Sequence, residues 1–219
     1  MIDVNLLSKF KTKNLFIILV FFLAIISILT EHFLNLRILT EQNLLENLTN
    51  EQVSELIIFK QKWLWLFYLL IPIIIVVRTL LLTFCLNIGL FLYDVNNKVS
   101  FNKLYRVALI GEFVLIFVSC FKFFYFFLIR PEYTLLEFQQ FYPLSYINFL
   151  DLSKIDPWLI YPLQTINLFE IAYFFVLVYG LHKLLKNKYS KSFEIVAVSY
   201  GSGLVIWLGL VMFLTLNMS

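Results

Sequence analysis

Five apolar blocks, residues 14–30, 63–93, 107–129, 166–184 and 195–216, constrain this 219-residue chain more than any other feature. A soluble helix carries polar residues every third or fourth position to wet one face, yet 15–29 and 195–216 contain no Asp, Glu, Lys or Arg. Blocks of this length call for hydrocarbon as their solvent. The predicted fold is therefore all-α: a polytopic membrane helix bundle of five transmembrane helices, forming a single integral membrane domain over residues 1–219. Lys9, Lys11 and Lys13 ahead of the first block imitate a signal peptide. The block ends in Ser27-Ile28-Leu29-Thr30-Glu31 with no small-x-small cleavage site, so a retained anchor helix is expected.

Charge between the blocks orients the bundle. Lys9, Lys11 and Lys13 outweigh Asp3 before the first span, whereas residues 31–62 set five glutamates against Arg37, Lys60 and Lys62. The next loop is basic (Lys98, Lys103 and Arg106 against Asp94). The loop after it is acidic (Glu132, Glu137, Asp151 and Asp156 against Arg130 and Lys154), and the last turn holds Lys183, Lys186, Lys188 and Lys191. Lysine and arginine collect on the cytoplasmic side, which predicts N-in and C-out, with Ser219 outside. The net charge of +3 is explained by these clusters and gives no case for nucleic-acid binding.

The second block is too long for an upright helix: 31 residues rise about 45 Å against a core of roughly 30 Å. A tilt, a kink at Pro72 or an exit near Asn87 would accommodate it. Trp63, Trp65, Tyr68, Tyr142, Tyr146 and Trp158 are placed as interfacial anchors. Between the first two spans, Phe33, Leu34, Ile38, Leu44, Leu45, Leu48, Val53, Leu56 and Ile57 recur at threes and fours. This predicts one or two amphipathic helices on the outer face. The second outer loop, rich in proline and aromatics, is expected to be an ordered cap.

Four ionisable residues lie within the spans, where each needs a partner. Helix rise puts Arg78 roughly 22 Å down the second span and Glu112 about 8 Å above the opposite boundary on the third, so both reach one depth. The same arithmetic places Lys122 and Glu170 near the other boundary. Two pairs are expected, Arg78–Glu112 and Lys122–Glu170. They serve either helix register or a pathway for ions, protons or lipid headgroups.

All six glycines fall in or beside the spans. In the last span Ala197 with Gly201, and Ser199 with Gly203, form two small-xxx-small pairs suited to close helix contact, within the chain or with a partner. Cys85 and Cys120 read as small buried residues. His32 and His182 fall on opposite sides of the membrane, and no catalytic or cofactor motif is present, so neither an enzyme nor a cofactor or metal site is expected. Low alanine with abundant Ile, Asn, Lys and Phe points to an AT-rich, bacterial coding sequence, and so to a cytoplasmic (inner) membrane.

The last third resembles the Yip1-domain family of five-span membrane proteins. The residues concerned are Ile166-Asn167-Leu168-Phe169-Glu170-Ile171, then Phe175 through Gly180-Leu181, then the basic turn ending Lys191-Ser192. Ser100-Phe101, with Leu104-Tyr105-Arg106-Val107, is similar to the family's approach to its middle helix. The resemblance implies a non-enzymatic scaffold or auxiliary subunit of a membrane trafficking or envelope complex. Its partners would be the lipid bilayer and other membrane subunits or a second copy of the chain. The alternative from the intramembrane charges is a transport protein, either a permease subunit or a small carrier.

Overall fold

A computed structural model describes residues 11–46, 48–95, 99–151 and 154–218, which are all-helical with no strand. Asp3, Lys9, Lys98 and Ser219, used above for orientation, lie outside the described residues. In chain order the helices are α1 (Thr12–Phe33), α2 (Leu36–Leu45), α3 (Asn50–Lys62), α4 (Leu64–Leu92) and α5 (Phe101–Phe124), which runs on as a π-helical turn, Tyr125–Ile129. After these come α6 (Leu135–Gln140), α7 (Pro157–Thr165), α8 (Leu168–Leu185) and α9 (Tyr189–Val196). A second π-helical turn, Ala197–Gly201, joins α9 to α10 (Ser202–Met218). Five of these units are long and apolar enough to cross a membrane: α1, α4, α5 with its π turn, α8, and α9 through α10.

The observed helices depart from the apolar blocks where polarity and backbone geometry disagree. The third begins at Phe101 rather than 107, and the fifth at Tyr189 rather than 195. Ser100 and Lys188 hold extended backbone, and helix starts directly after each. The added turns are mixed in polarity, but they bury Leu104 and Ser192 against the bundle. α4 continues unbroken through Pro72.

α5 is the central helix and packs on α1, α4 and α8. The largest core joins Leu86 and Leu90 of α4, Leu104 and Ala108 of α5, Leu177 and Leu181 of α8, and Ile195 and Val196 of α9. A second cluster seats Leu15 and Leu19 of α1 on Ile75, Leu109 and Ile116. A third, largely aromatic, surrounds Phe126 with Phe123, Tyr133, Phe138 and Phe141. In hydrocarbon no water is present to drive such contacts, so close fit of small and large side chains has to hold the bundle.

The short helices gather at one end, here termed the capped end. Asn35, left-handed at φ 49°, separates α1 from α2, and a Thr49–Gln52 capping box starts α3. The predicted outer segment does form two helices, but of their apolar residues only Val53 is buried, and Ile38, Leu45, Leu56, Ile58 and Phe59 stay exposed. Residues 130–151 and 154–165 are tied together by local contacts. A Thr134–Glu137 capping box opens α6, Arg130 pairs with Glu137 at 2.6 Å, and an antiparallel bridge joins Ser145 to Asn167.

Candidate functional site

α4 carries Arg78 at its midpoint, 14 residues from either end, or about 21 Å at helical rise. Leu81, Leu82 and Cys85 follow at the spacing that puts them on Arg78's face. α10 presents Gly203, Ile206, Trp207 and Leu210 at the same spacing, and both stripes line one cavity of about 450 Å³. The stripes meet at one point: a Cβ on Gly203 would fall 2.9 Å from Cys85 Sγ. Towards the capped end they part, and α7 fills the far side by packing along α10. The volume suits a small ligand.

The walls of this chamber differ from end to end. Leu81, Leu82, Cys85, Leu204, Ile206 and Leu210 make an apolar floor. Leu81, Ile206 and Leu210 are also 53%, 72% and 47% exposed, so the floor is continuous with the outer surface of the bundle. The rest of the lining includes Arg78, Glu170, Asn167, Gln164 and Tyr142, Tyr161, Tyr173 and Tyr200.

The charges are arranged in a chain. Glu112, with its side chain 5% exposed, sits 3.6 Å from Arg78 Nε and accepts the Tyr173 hydroxyl at 2.9 Å. A carboxylate so enclosed needs both partners, because an unpaired charge in hydrocarbon is costly. Arg78 itself is 51% exposed and makes no hydrogen bond among the described residues, so the outer part of its five-donor fork faces the chamber. Glu170 lies in the first turn of α8, where the helix dipole favours a carboxylate. Its backbone N–H donates to Asn167 Oδ1 at 2.8 Å, and its carboxylate accepts the Tyr200 hydroxyl.

The remaining polar groups are held from the cap. Asn167 Nδ2 donates to the Gln164 carbonyl at 2.9 Å, and Gln164 Nε2 donates to the Gln140 carbonyl at 3.0 Å. Trp207 Nε1 donates to the Tyr161 hydroxyl oxygen at 2.9 Å, joining α10 to α7. Burial, reinforced by the Glu170 carboxylate, pushes the Tyr142 phenol above its ordinary range and keeps it a neutral donor.

Of the four charges expected to pair, Arg78 and Glu112 come together. The Lys122–Glu170 pair does not form. The Lys122 ammonium lies over the Phe138 ring, 4.3 Å from its centroid, and Glu170 is taken by Tyr200. The depth estimate fixed height but not direction: ten residues beyond Glu112, Lys122 points about 80° round α5 from it. The glycine pattern divides in the same way. A Cβ on Gly89 would meet Ser199 Cβ at 2.5 Å, so Ser199 and Gly203 do form a close face, directed at α4 of the same chain. Gly201 has nothing within 4 Å of its Cβ position, and Ala197 is half-buried, so that pair makes no such contact. The π turn between them advances the chain more slowly than α geometry and takes Gly201 off the face.

Sequence reasoning missed Tyr173 and Tyr200, which hold the two carboxylates. A signal was present in part: a phenol at membrane depth needs a hydrogen-bond partner, but the spacing of Tyr173, three residues from Glu170, points to that carboxylate, whereas Tyr173 donates to Glu112 on another helix. Among the described residues no group of three His, Cys, Asp or Glu side chains is placed to hold a metal, and Cys85 and Cys120 are free thiols. No family model, curated protein or solved structure matches the chain.

Proposed function

We propose that this chain is a non-enzymatic multi-pass membrane protein, N-in and C-out in a bacterial cytoplasmic membrane, that takes an amphipathic molecule from the bilayer into the α4–α10 chamber. It serves as a small carrier or as the ligand-holding subunit of a transport system. One observation carries this reading: an apolar floor continuous with the outer surface leads to a half-open arginine at mid-helix. A charge at that depth serving helix register alone would be enclosed by its partner, as Glu112 is; Arg78 is open on the side where the chamber lies.

Purification from the native host in a gentle detergent, followed by mass spectrometry of extracted lipids and bound proteins, tests it. A stoichiometric amphiphile that is lost from a Leu204→Trp variant, whose indole fills the chamber, is the expected result. A preparation free of bound amphiphile that also fails to take one up from mixed micelles would overturn it.

Scaffold or auxiliary-subunit activity, implied by the Yip1-domain resemblance, has its own support. Ile38, Leu45, Leu56, Ile58 and Phe59 are exposed on α2 and α3, where a partner's apolar surface would cover them. Co-purification of a membrane protein that is lost on Ile58→Glu and Phe59→Glu substitution would favour it.

A further inference from the structure

The chamber's charges and rings define the headgroup it suits, an inference that rests on the amphiphile-binding reading above. Its lining holds one cation, Arg78, and one carboxylate, Glu170, with the enclosed Glu112 carboxylate beside Arg78. Arg78 makes its ion pair with Glu112; Glu170 makes none within 4 Å among the described residues and feels Arg78 only at longer range. In a low-dielectric setting an unmatched carboxylate attracts a positive group. The walls beside it are aromatic: Tyr142, Tyr161, Tyr173 and Tyr200 line the cavity, and the Tyr173 and Tyr200 rings lie 5.6 Å apart. Phenol faces with a carboxylate behind them form a cage of the kind that holds an organic ammonium. The free edge of Arg78, in the same cavity, matches a phosphate.

We propose that the chamber binds a zwitterionic phospholipid with an amine headgroup, its ammonium against Glu170 among the tyrosines and its phosphodiester on the outer edge of Arg78. The acyl chains leave over Leu81, Ile206 and Leu210 into the bilayer. A ligand so placed gives Glu170 an ion-pair partner and the outer edge of Arg78 an acceptor without changing the net charge of the site, whereas a purely anionic lipid satisfies Arg78 and adds to the negative charge beside Glu170. A neutral diacylglycerol satisfies neither.

The experiment measures binding of lyso-phosphatidylethanolamine, lyso-phosphatidylglycerol and a monoacylglycerol to the delipidated full-length chain in detergent. Free phosphoethanolamine serves as the soluble comparison. The expected result is at least a tenfold preference for lyso-phosphatidylethanolamine over lyso-phosphatidylglycerol, and weaker binding still of the other two. Glu170→Gln removes the preference, and Arg78→Gln weakens both phosphate-bearing lipids together. Equal binding of the two phospholipids by the wild-type chain, which needs no variant to fold, overturns the headgroup assignment while the amphiphile reading stands. Phosphoethanolamine binding as tightly as the lyso-lipid also overturns it, by assigning the site to a soluble zwitterion. No binding of any of the three amphiphiles overturns the earlier reading itself.

Discussion

The last long helix contains two regions whose burial runs against their hydropathy: α9 is mixed in polarity and α10 strongly apolar. Through α9 and the π turn, Ile195 and Val196 have no exposed surface and Ser199 is buried against α4. From Ser202 to Met218 no residue is buried. The difference lies in what stands opposite. The lower region meets Gly89, where the absence of a side chain lets two backbones approach, and the upper faces Arg78, Leu81 and Leu82 across the chamber. Hydropathy selects the solvent of a segment; the size and charge of its neighbours decide whether it packs or leaves room.

Four experiments would break or sharpen this contrast. Glu112→Ala should cost the most, about 2–4 kcal/mol, because it strips Arg78 of its counter-ion and Tyr173 of its acceptor. Unfolding in mixed micelles reads the loss, and a second substitution, Arg78→Leu, should recover much of it. Next, Gly89→Ala should cost about 1–3 kcal/mol by forcing a Cβ onto Ser199, whereas Gly209→Ala, with open space at its Cβ, should change stability by less than about 0.5 kcal/mol. Equal melting temperatures for the two alanine variants would remove the distinction between sealed and loose regions.

A smaller effect is expected at the junction of bundle and cap. Asn167→Ala loses the N-cap of α8 and the bond to Gln164, about 1 kcal/mol. Faster amide exchange should follow at Glu170 and Ile171, with little change in α9. Smallest is the acid response of α6. The Thr134 backbone N–H, assisted by the Arg130 guanidinium, holds the Glu137 carboxyl below the usual carboxylate range. A depressed folded value stabilises above the ordinary range and is lost as pH falls through the depressed one. Amide protection in α6 should therefore decline in acid, and Glu137→Gln should abolish that dependence.

Much of the architecture was legible in the amino-acid sequence, because a hydrocarbon solvent leaves a one-dimensional record: long uncharged runs. The five long helices follow from run length, and the common depth of Arg78 and Glu112 follows from helix rise. Three things did not follow. The starts at Phe101 and Tyr189 depend on extended backbone at Ser100 and Lys188, which hydropathy does not report. Lys122 and Glu170 share a depth but not a direction, and direction depends on how α5 rolls against α8. The chamber is a gap beside the close approach of Gly203 to Cys85, and no residue pattern records a gap.

The π turn at Ala197–Gly201 carries a consequence for how this molecule can change. A π turn takes up one residue more than the α turn it replaces. Removing one residue between Ala197 and Gly201 should therefore convert it to an α turn and leave the side chains above in nearly their present directions, with Gly203 still on Cys85 and Trp207 on Tyr161. The same deletion within α10 has no such slack and would rotate every side chain beyond it by about 100°. The π turn is thus the stretch of this helix where the chain can lose a residue and keep the lining of its chamber.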